Sequence, residues 1–242
     1  MPVMNPKDPQ LDEYQNLALL CRALWRQGFD DLLPGRVSLR QDRGTFLISA
    51  ADRRWDQMRA RDVALQSADG LPLEGSHAGS DLKMDASAML HRQLHANRSD
   101  AVWVGLLRSR AVLRWACTER VPLAYDDLAA FSGSMEMVGV STVESEAQFA
   151  QVLGNLPVPM PILLVSGFGA LVTAETLEQF ATRAVALQVR CRTAADLEGV
   201  ADARELKPDR ERQLFARSCT EGFGLWSALV ARELRAGSDF LD

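Results

Sequence analysis

Histidine and tyrosine are scarce in this chain: among 242 residues there are only His77, His91 and His95, and only Tyr14 and Tyr125. Few imidazoles are therefore available for metal ligation or for proton transfer near neutral pH. Cys21, Cys117, Cys191 and Cys219 lie far apart with no Cys-x-x-Cys pair, so neither a disulfide framework nor a zinc knuckle is expected. Four scattered thiols fit a reducing cytoplasm. No apolar run reaches the roughly 18 residues of a membrane span, and "MPVMNPKDPQLDEY" lacks a basic start followed by an apolar stretch. The expectation is a soluble, unexported, cytoplasmic protein with no membrane contact. The 32 acidic and 27 basic residues leave a net charge of -5, which repels a phosphate backbone, so no nucleic acid partner is expected. Nucleophile and dinucleotide motifs are missing too. Neither "VSGFGAL" nor "FSGSM" makes a Gly-x-Ser-x-Gly turn, and Gly167-Phe168-Gly169 runs on into "ALV" as strand rather than into a helix.

What is present reads as one large domain with an appendage. The 47% hydrophobic residues suffice for a core, and no repeat or low-complexity segment occurs. A capping Asp8 followed by Pro9 opens a helix in which Tyr14, Leu17, Ala18, Cys21, Leu24 and Trp25 share a face, and Gly28 ends it. "GRVSLR" and "TFLIS" on either side of "QDRG" predict a hairpin, and "DVALQ" a third strand before the turn "SADG". A helix is predicted over Lys83 to Asn97, with Asp85 as its cap and Met84, Ala88, His91 and His95 on one face. The continuous apolar run Ala101 to Leu107 predicts a strand covered on both sides and ending on a basic turn. Further strands are expected at "MEMVGV" and "ILLVS", and a long helix after Thr173 with Leu177, Phe180, Ala184, Leu187 and Cys191 inward. The tail from residue 201 reads as charged and helical, with breaks at Pro208 and the Gly222/Gly224 pair. Mixed strands and helices in this order argue for an α/β layered domain. The five tryptophans are expected to supply burial or subunit contacts.

Several stretches, in order, resemble the class II aldolase/adducin family: "GRVSLRQDRGTFLIS", "RDVALQSADG", "SAMLHRQLHANRSDAVWVGLL" and "ILLVSGFGALVTAETLEQFATRAVAL". The tail "LWSALVARELRAG" resembles the extension of longer members. The resemblance spans roughly residues 10 to 200. It implies a layered α/β domain over 1–200 with a mainly antiparallel central sheet flanked by helices, followed by a helical C-terminal extension over 201–242. It also implies a homo-oligomer, commonly a tetramer with sites between subunits.

In catalytic members two histidines of a His-x-His motif and a third in an Asn-His-Gly turn hold a divalent metal, and a glutamate four residues before a helical histidine handles the proton. Laid on this chain, the His-x-His positions fall on Leu106 and Arg108, or on Gly105 and Leu107 in a register shifted by one. The third ligand position falls on Phe168 and the glutamate position on Ser87. The phosphate-binding Gly-Asn pair reads Gly35-Arg36, the following Ser-Gly reads Ala51-Asp52, and the serines before the glutamate read Asp85-Ala86. The resemblance thus implies the fold but neither the metal nor another cofactor. His91 and His95, four apart, raise a relocated metal site as an alternative, with Asp85 or His77 as further ligands. Packing is the plainer reading of both.

Candidate ligand-binding residues are Arg36, Ser38, Asp85, Ser87, Arg108 and Phe168; candidate catalytic residues are Arg108, as a guanidinium that stabilises developing negative charge, and Tyr125, as a proton donor from a loop. The leading expectation is a non-metallo homologue that binds a small anionic molecule or a protein partner. The alternatives are a metal-independent lyase, decarboxylase or isomerase acting on a small anionic carbonyl compound, and an inactive subunit of an aldolase-like assembly.

Overall fold

The structure, a computed structural model, describes residues 9–29, 35–42, 44–67, 86–118, 120–133, 138–141, 145–155, 160–221 and 224–235. Asp8, His77, Asp85 and Gly222, each given a role above, lie outside them.

The first helix, α1 (Pro9–Arg26), ends as expected at a glycine: Gly28 has φ 87° and its N–H reaches the Trp25 carbonyl, while Phe29 N–H reaches Leu24. A left-handed residue here lets the last carbonyls find donors without a Cβ penalty. The expected hairpin follows as β1 (Arg36–Arg40) and β2 (Thr45–Ser49), paired antiparallel with Ser38 opposite Ile48. Two short 3-10 turns lead into β3 (Val63–Ser67). Helix α2 (Ala86–Asn97) and strand β4 (Trp103–Leu107) then form, and all five β4 residues are buried, as the unbroken apolar run required.

After β4 the chain turns into α3 (Arg110–Thr118) where the sequence reading had only a basic turn. Ser109 accounts for it: its hydroxyl accepts from Val112 N–H and donates to Gln188 Oε1 at 2.7 Å. Ser145 starts α5 (Glu146–Asn155) in the same way, accepting from Gln148 N–H. Both helices were missed because short amphipathic stretches between strands give little periodicity; the serine caps were the available signal. The short α4 (Asp127–Ala130) is capped by Asp126. Strands β5 (Val138–Ser141), β6 (Ile162–Val165) and β7 (Gly169–Ala174) complete the sheet. The long helix begins later than the sequence suggested, because Thr173 remains in β7; α6 (Leu177–Leu197) is capped by Thr176, whose side chain accepts from Gln179 N–H.

The described residues form a seven-stranded sheet in the order β3-β2-β1-β4-β7-β6-β5. Every neighbouring pair is antiparallel except β5 with β6. One face carries Val37, Leu39, Leu107, Val172 and Leu164 into a core shared with α1, α3 and α6. The opposite face carries Val104, Leu106, Leu163 and Leu171 against Leu90 and Leu94 of α2 and Phe149 and Leu153 of α5. This is the layered, mainly antiparallel α/β fold that the resemblance implied.

The tail packs back onto the core as α7 (Pro208–Thr220) and α8 (Leu225–Arg235), with Pro208 at the first turn of its helix. Glu178 of α6 accepts from the backbone N–H groups of Leu225 and Trp226, and Leu229 joins the main core. Trp55, Trp103 and Trp115 are buried, and Trp25 and Trp226 are partly buried against the same core. No helix among the described residues is long and apolar enough to cross a membrane.

Candidate functional site

Three segments distant in sequence meet where β4 ends. Antiparallel pairing sets Arg36 of β1 directly opposite Leu106, and Leu106 opposite Leu171 of β7. The turn 166–168 between β6 and β7 comes alongside, and Arg108 Nε donates to the Phe168 carbonyl at 2.6 Å. Gly169 makes this approach possible. At φ 129°, a Cβ on it would lie 2.6 Å from the Leu107 carbonyl oxygen and 3.0 Å from Arg108 Cγ. Gly169→Ala is therefore expected to lose about 1–3 kcal/mol in a urea unfolding titration and to displace Arg108 from the Phe168 carbonyl.

Burial differs sharply across this corner. Arg36 is 1% exposed and Leu106 fully buried, while Arg108 and Phe168 are half-buried. An arginine at a strand end is ordinarily solvated; here Arg36 is inside the protein and Arg108 is held by a backbone carbonyl. Ser87, buried in the first turn of α2, lies one turn before His91. Helix α2 runs along β1 with its C-terminal end at Arg40. The Arg40 guanidinium donates to the carbonyls of His95, Arg98 and Ser99, filling acceptors that the helix end leaves open. The helix start, and Ser87 with it, therefore lies toward the Arg36 end of β1.

Between α2 and β1 the two histidines share one serine hydroxyl. Ser38 Oγ is 2.7 Å from His91 Nδ1 and 2.7 Å from His95 Nε2, and His95 Nδ1 is 3.1 Å from the Ala101 carbonyl. A carbonyl only accepts, so His95 carries its proton on Nδ1 and presents a lone pair at Nε2. Ser38 donates to that lone pair and accepts from His91 Nδ1–H. His91 Nε2 is left as an acceptor, buried and without a hydrogen-bond partner among the described residues. Burial, then the neighbouring His95 and Arg36, holds the His91 pKa well below the usual histidine value; burial, then Arg40, lowers His95 to about 3 despite the favourable Ala101 carbonyl. Both imidazoles are neutral at physiological pH. The sequence marked Ser38 as a candidate and the histidines as packing, but it held no sign that one hydroxyl would join them.

Tyr125 lies elsewhere. It lines a cavity of about 300 Å³ with Trp115, Arg120, Val121, Leu123, Ala194 and Glu198, none of which belongs to the β4 corner. Cys191 is buried, which pushes its thiol up to about 12.

A sequence profile of the class II aldolase and adducin N-terminal domain matches residues 15–195. The chain belongs to this family. No curated protein sequence matches the chain. Among solved structures, an L-fuculose 1-phosphate aldolase from Glaciozyma antarctica PI12 is similar at 15% identity and a TM-score of 0.79, with 100% of this chain and 96% of that chain covered. An aldolase II superfamily protein from Pseudomonas syringae is similar at 20% identity and a TM-score of 0.78, covering 98% of each chain. L-fuculose-1-phosphate aldolase from Thermus thermophilus is similar at 19% identity and a TM-score of 0.57, with 78% of this chain and 93% of that one covered. At these identities the likeness is one of fold.

The metal of catalytic class II aldolases does not fit the groups at this corner. Leu106 and Phe168 offer no side-chain donor, and Arg108 brings a permanent positive charge that opposes a cation. The His91/His95 pair is no better suited. One lone pair of that pair, His95 Nε2, already accepts from Ser38, and the described residues contain no group of three His, Cys, Asp or Glu side chains able to hold a metal.

Proposed function

We propose that this class II aldolase-like chain has a degenerate metal site and acts by binding a small anionic molecule or a protein partner. The observation that carries the reading is the Arg108 Nε bond to the Phe168 carbonyl at 2.6 Å. It brings together two positions to which the family resemblance assigns ligands, from segments sixty residues apart, and one of them is a cation. A fixed guanidinium recognises carboxylate or phosphate oxygens by directed, charge-assisted hydrogen bonds, which is a chemistry of anions rather than of metals. Elemental analysis of protein purified from metal-supplemented medium tests this. Well under one equivalent of zinc, manganese or iron per chain is expected; a stoichiometric metal that disappears on substitution of His91 or His95 would overturn the proposal.

The same bond favours a second reading, a metal-independent lyase, decarboxylase or isomerase for a small anionic carbonyl compound. There Arg108 would stabilise an enolate by hydrogen bonds, in place of a Lewis acid. Turnover that survives a chelator and falls about 100-fold or more in Arg108→Ala supports it; full activity in that variant removes its central residue. An inactive subunit of a mixed assembly is distinguished by copurification of a second, histidine-bearing family member. A homo-oligomer such as a tetramer, a cytoplasmic location and a division into a 1–200 domain and a 201–242 helical extension complete the proposal.

A further inference from the structure

The cavity of about 300 Å³ at Tyr125 plays no part in the β4 corner, yet it has the make-up of a ligand site, an apolar interior with a few polar groups at one side. Its walls come from separate segments: Trp115 of α3, then Val121, Leu123 and Tyr125 of the chain that follows, and Ala194 of α6. The Trp115 indole N–H is spent on the Cys191 carbonyl at 2.9 Å, so this ring meets the cavity with carbon alone. The mouth is charged. Arg120 and Glu198 stand there with side chains 64% and 37% exposed, and Glu198 accepts from Arg114 at one oxygen and from Arg120 at the other. Those hydrogen bonds hold the Glu198 carboxyl below the usual range, so it stays ionised at neutral pH. Two guanidinium groups thus share one carboxylate, and one positive charge is left in excess at the rim. Arg120 lies 5.6 Å from the Trp115 ring centroid and gives a single N–H to Glu198. The rest of its planar fork faces the mouth as a donor to a ligand.

We propose that this cavity is a second ligand site, separate from the β4 corner, and that it takes a small aromatic carboxylate, with the ring among the apolar walls and the carboxylate on Arg120 at the mouth. The walls select the ring, and the excess positive charge selects the anion. An organic cation would suit Trp115 and Glu198 taken alone, but Arg120 already engages both. An anion without a ring would meet Arg120 only at an exposed rim, where solvent and salt screen the pair. The inference does not rest on the function proposed above, because the cavity and the β4 corner share no residue.

Calorimetric titration of the full chain with benzoate, benzamide, benzamidine and acetate tests the site. Benzoate is expected to bind about tenfold or more tightly than benzamide or acetate, the usual worth of one charge-assisted hydrogen bond, and benzamidine is expected not to bind. Arg120→Gln changes an exposed side chain and is expected to erase the preference for benzoate over benzamide. Leu123→Trp fills the cavity with Arg120 intact and is expected to abolish binding of benzoate; should that variant not fold, Arg120→Gln decides alone. No saturation by benzoate up to about 10 mM, equal affinity for benzoate and benzamide, tighter binding of benzamidine, or unchanged benzoate affinity in Arg120→Gln would overturn the inference. Benzoate binding that is lost in Arg108→Ala and kept in Arg120→Gln would put the ligand at the β4 corner, which overturns the second site and leaves the reading of that corner standing.

Discussion

Replacing Arg190 with methionine is expected to destabilise the protein by about 3–5 kcal/mol, the range for removing one member of a buried ion pair. Arg190 on α6 is fully buried, and its guanidinium is spent entirely on internal partners. Nε donates to the Pro122 carbonyl at 2.6 Å, one terminal nitrogen to Ser132 Oγ and the Gly133 carbonyl, and the other to Glu211 Oε1 at 3.3 Å. Glu211 is itself 2% exposed. The substitution therefore takes the Arg190 guanidinium away from a buried carboxylate and from two backbone acceptors at once. It also removes a tie between α6, the 122–133 segment and α7. The midpoint of urea unfolding reports the loss. The double variant Arg190→Met/Glu211→Leu is expected to recover part of it, since two matched apolar groups avoid the uncompensated charge. A change below about 1 kcal/mol for Arg190→Met would show that water reaches this pair. Exposed pairs such as Arg210 with Asp127 are expected to contribute little by the same measurement.

Acidification from pH 7 to pH 5 is expected to cost about 2 kcal/mol of stability through His95, and His91 adds to the loss in the same direction. Both pKa values are depressed in the folded protein, His95 to about 3 and His91 well below 6.5. Between the folded value and the unfolded value of about 6.5 the unfolded chain binds protons that the folded chain refuses. The stabilising effect is thus fully present above about pH 6.5 and is lost progressively as pH falls. For His95 the slope approaches about 1.4 kcal/mol per pH unit once the pH is below about 6. Ser38, Arg36 and Arg40 of β1 and the Ala101 carbonyl are the polar groups that meet the pair, and both arginines oppose its protonation. Asp100, held below the usual carboxylate range by Arg98, stays ionised throughout this window and does not obscure it. Urea titrations at pH 7, 6 and 5 measure the effect, and His95→Phe is expected to lower the slope. Equal stability at pH 7 and pH 5 would mean that the imidazoles protonate in place.

The sequence carried the strands well because each obeys a rule that acts locally. "GRVSLR" alternates, the Ala101 to Leu107 run does not, and the structure makes the first a hairpin strand and the second the central strand beside it. The helices α3 and α5 were lost for the same reason in reverse, as their amphipathic faces are short and their serine caps are single residues. At the candidate site, the identities of Leu106, Arg108 and Phe168 were legible in order along the chain, and none of these three side chains carries a lone pair for a metal.

What the sequence determined by itself was therefore the set of groups available: three histidines, an arginine after the apolar run Ala101 to Leu107, and a fold-specifying pattern of apolar residues. Only the tertiary structure decided which of those groups face one another. Register across β1, β4 and β7 set Arg36 beside Leu106, and the turn at Gly169 set Arg108 against Phe168. The packing of α2 on β1 joined Ser38 to both histidines and left His91 Nε2 without a partner among the described residues. Hydrogen-bond direction and desolvation depend on neighbours tens of residues away, so the protonation state of His91 belongs to the folded protein and to no stretch of its sequence.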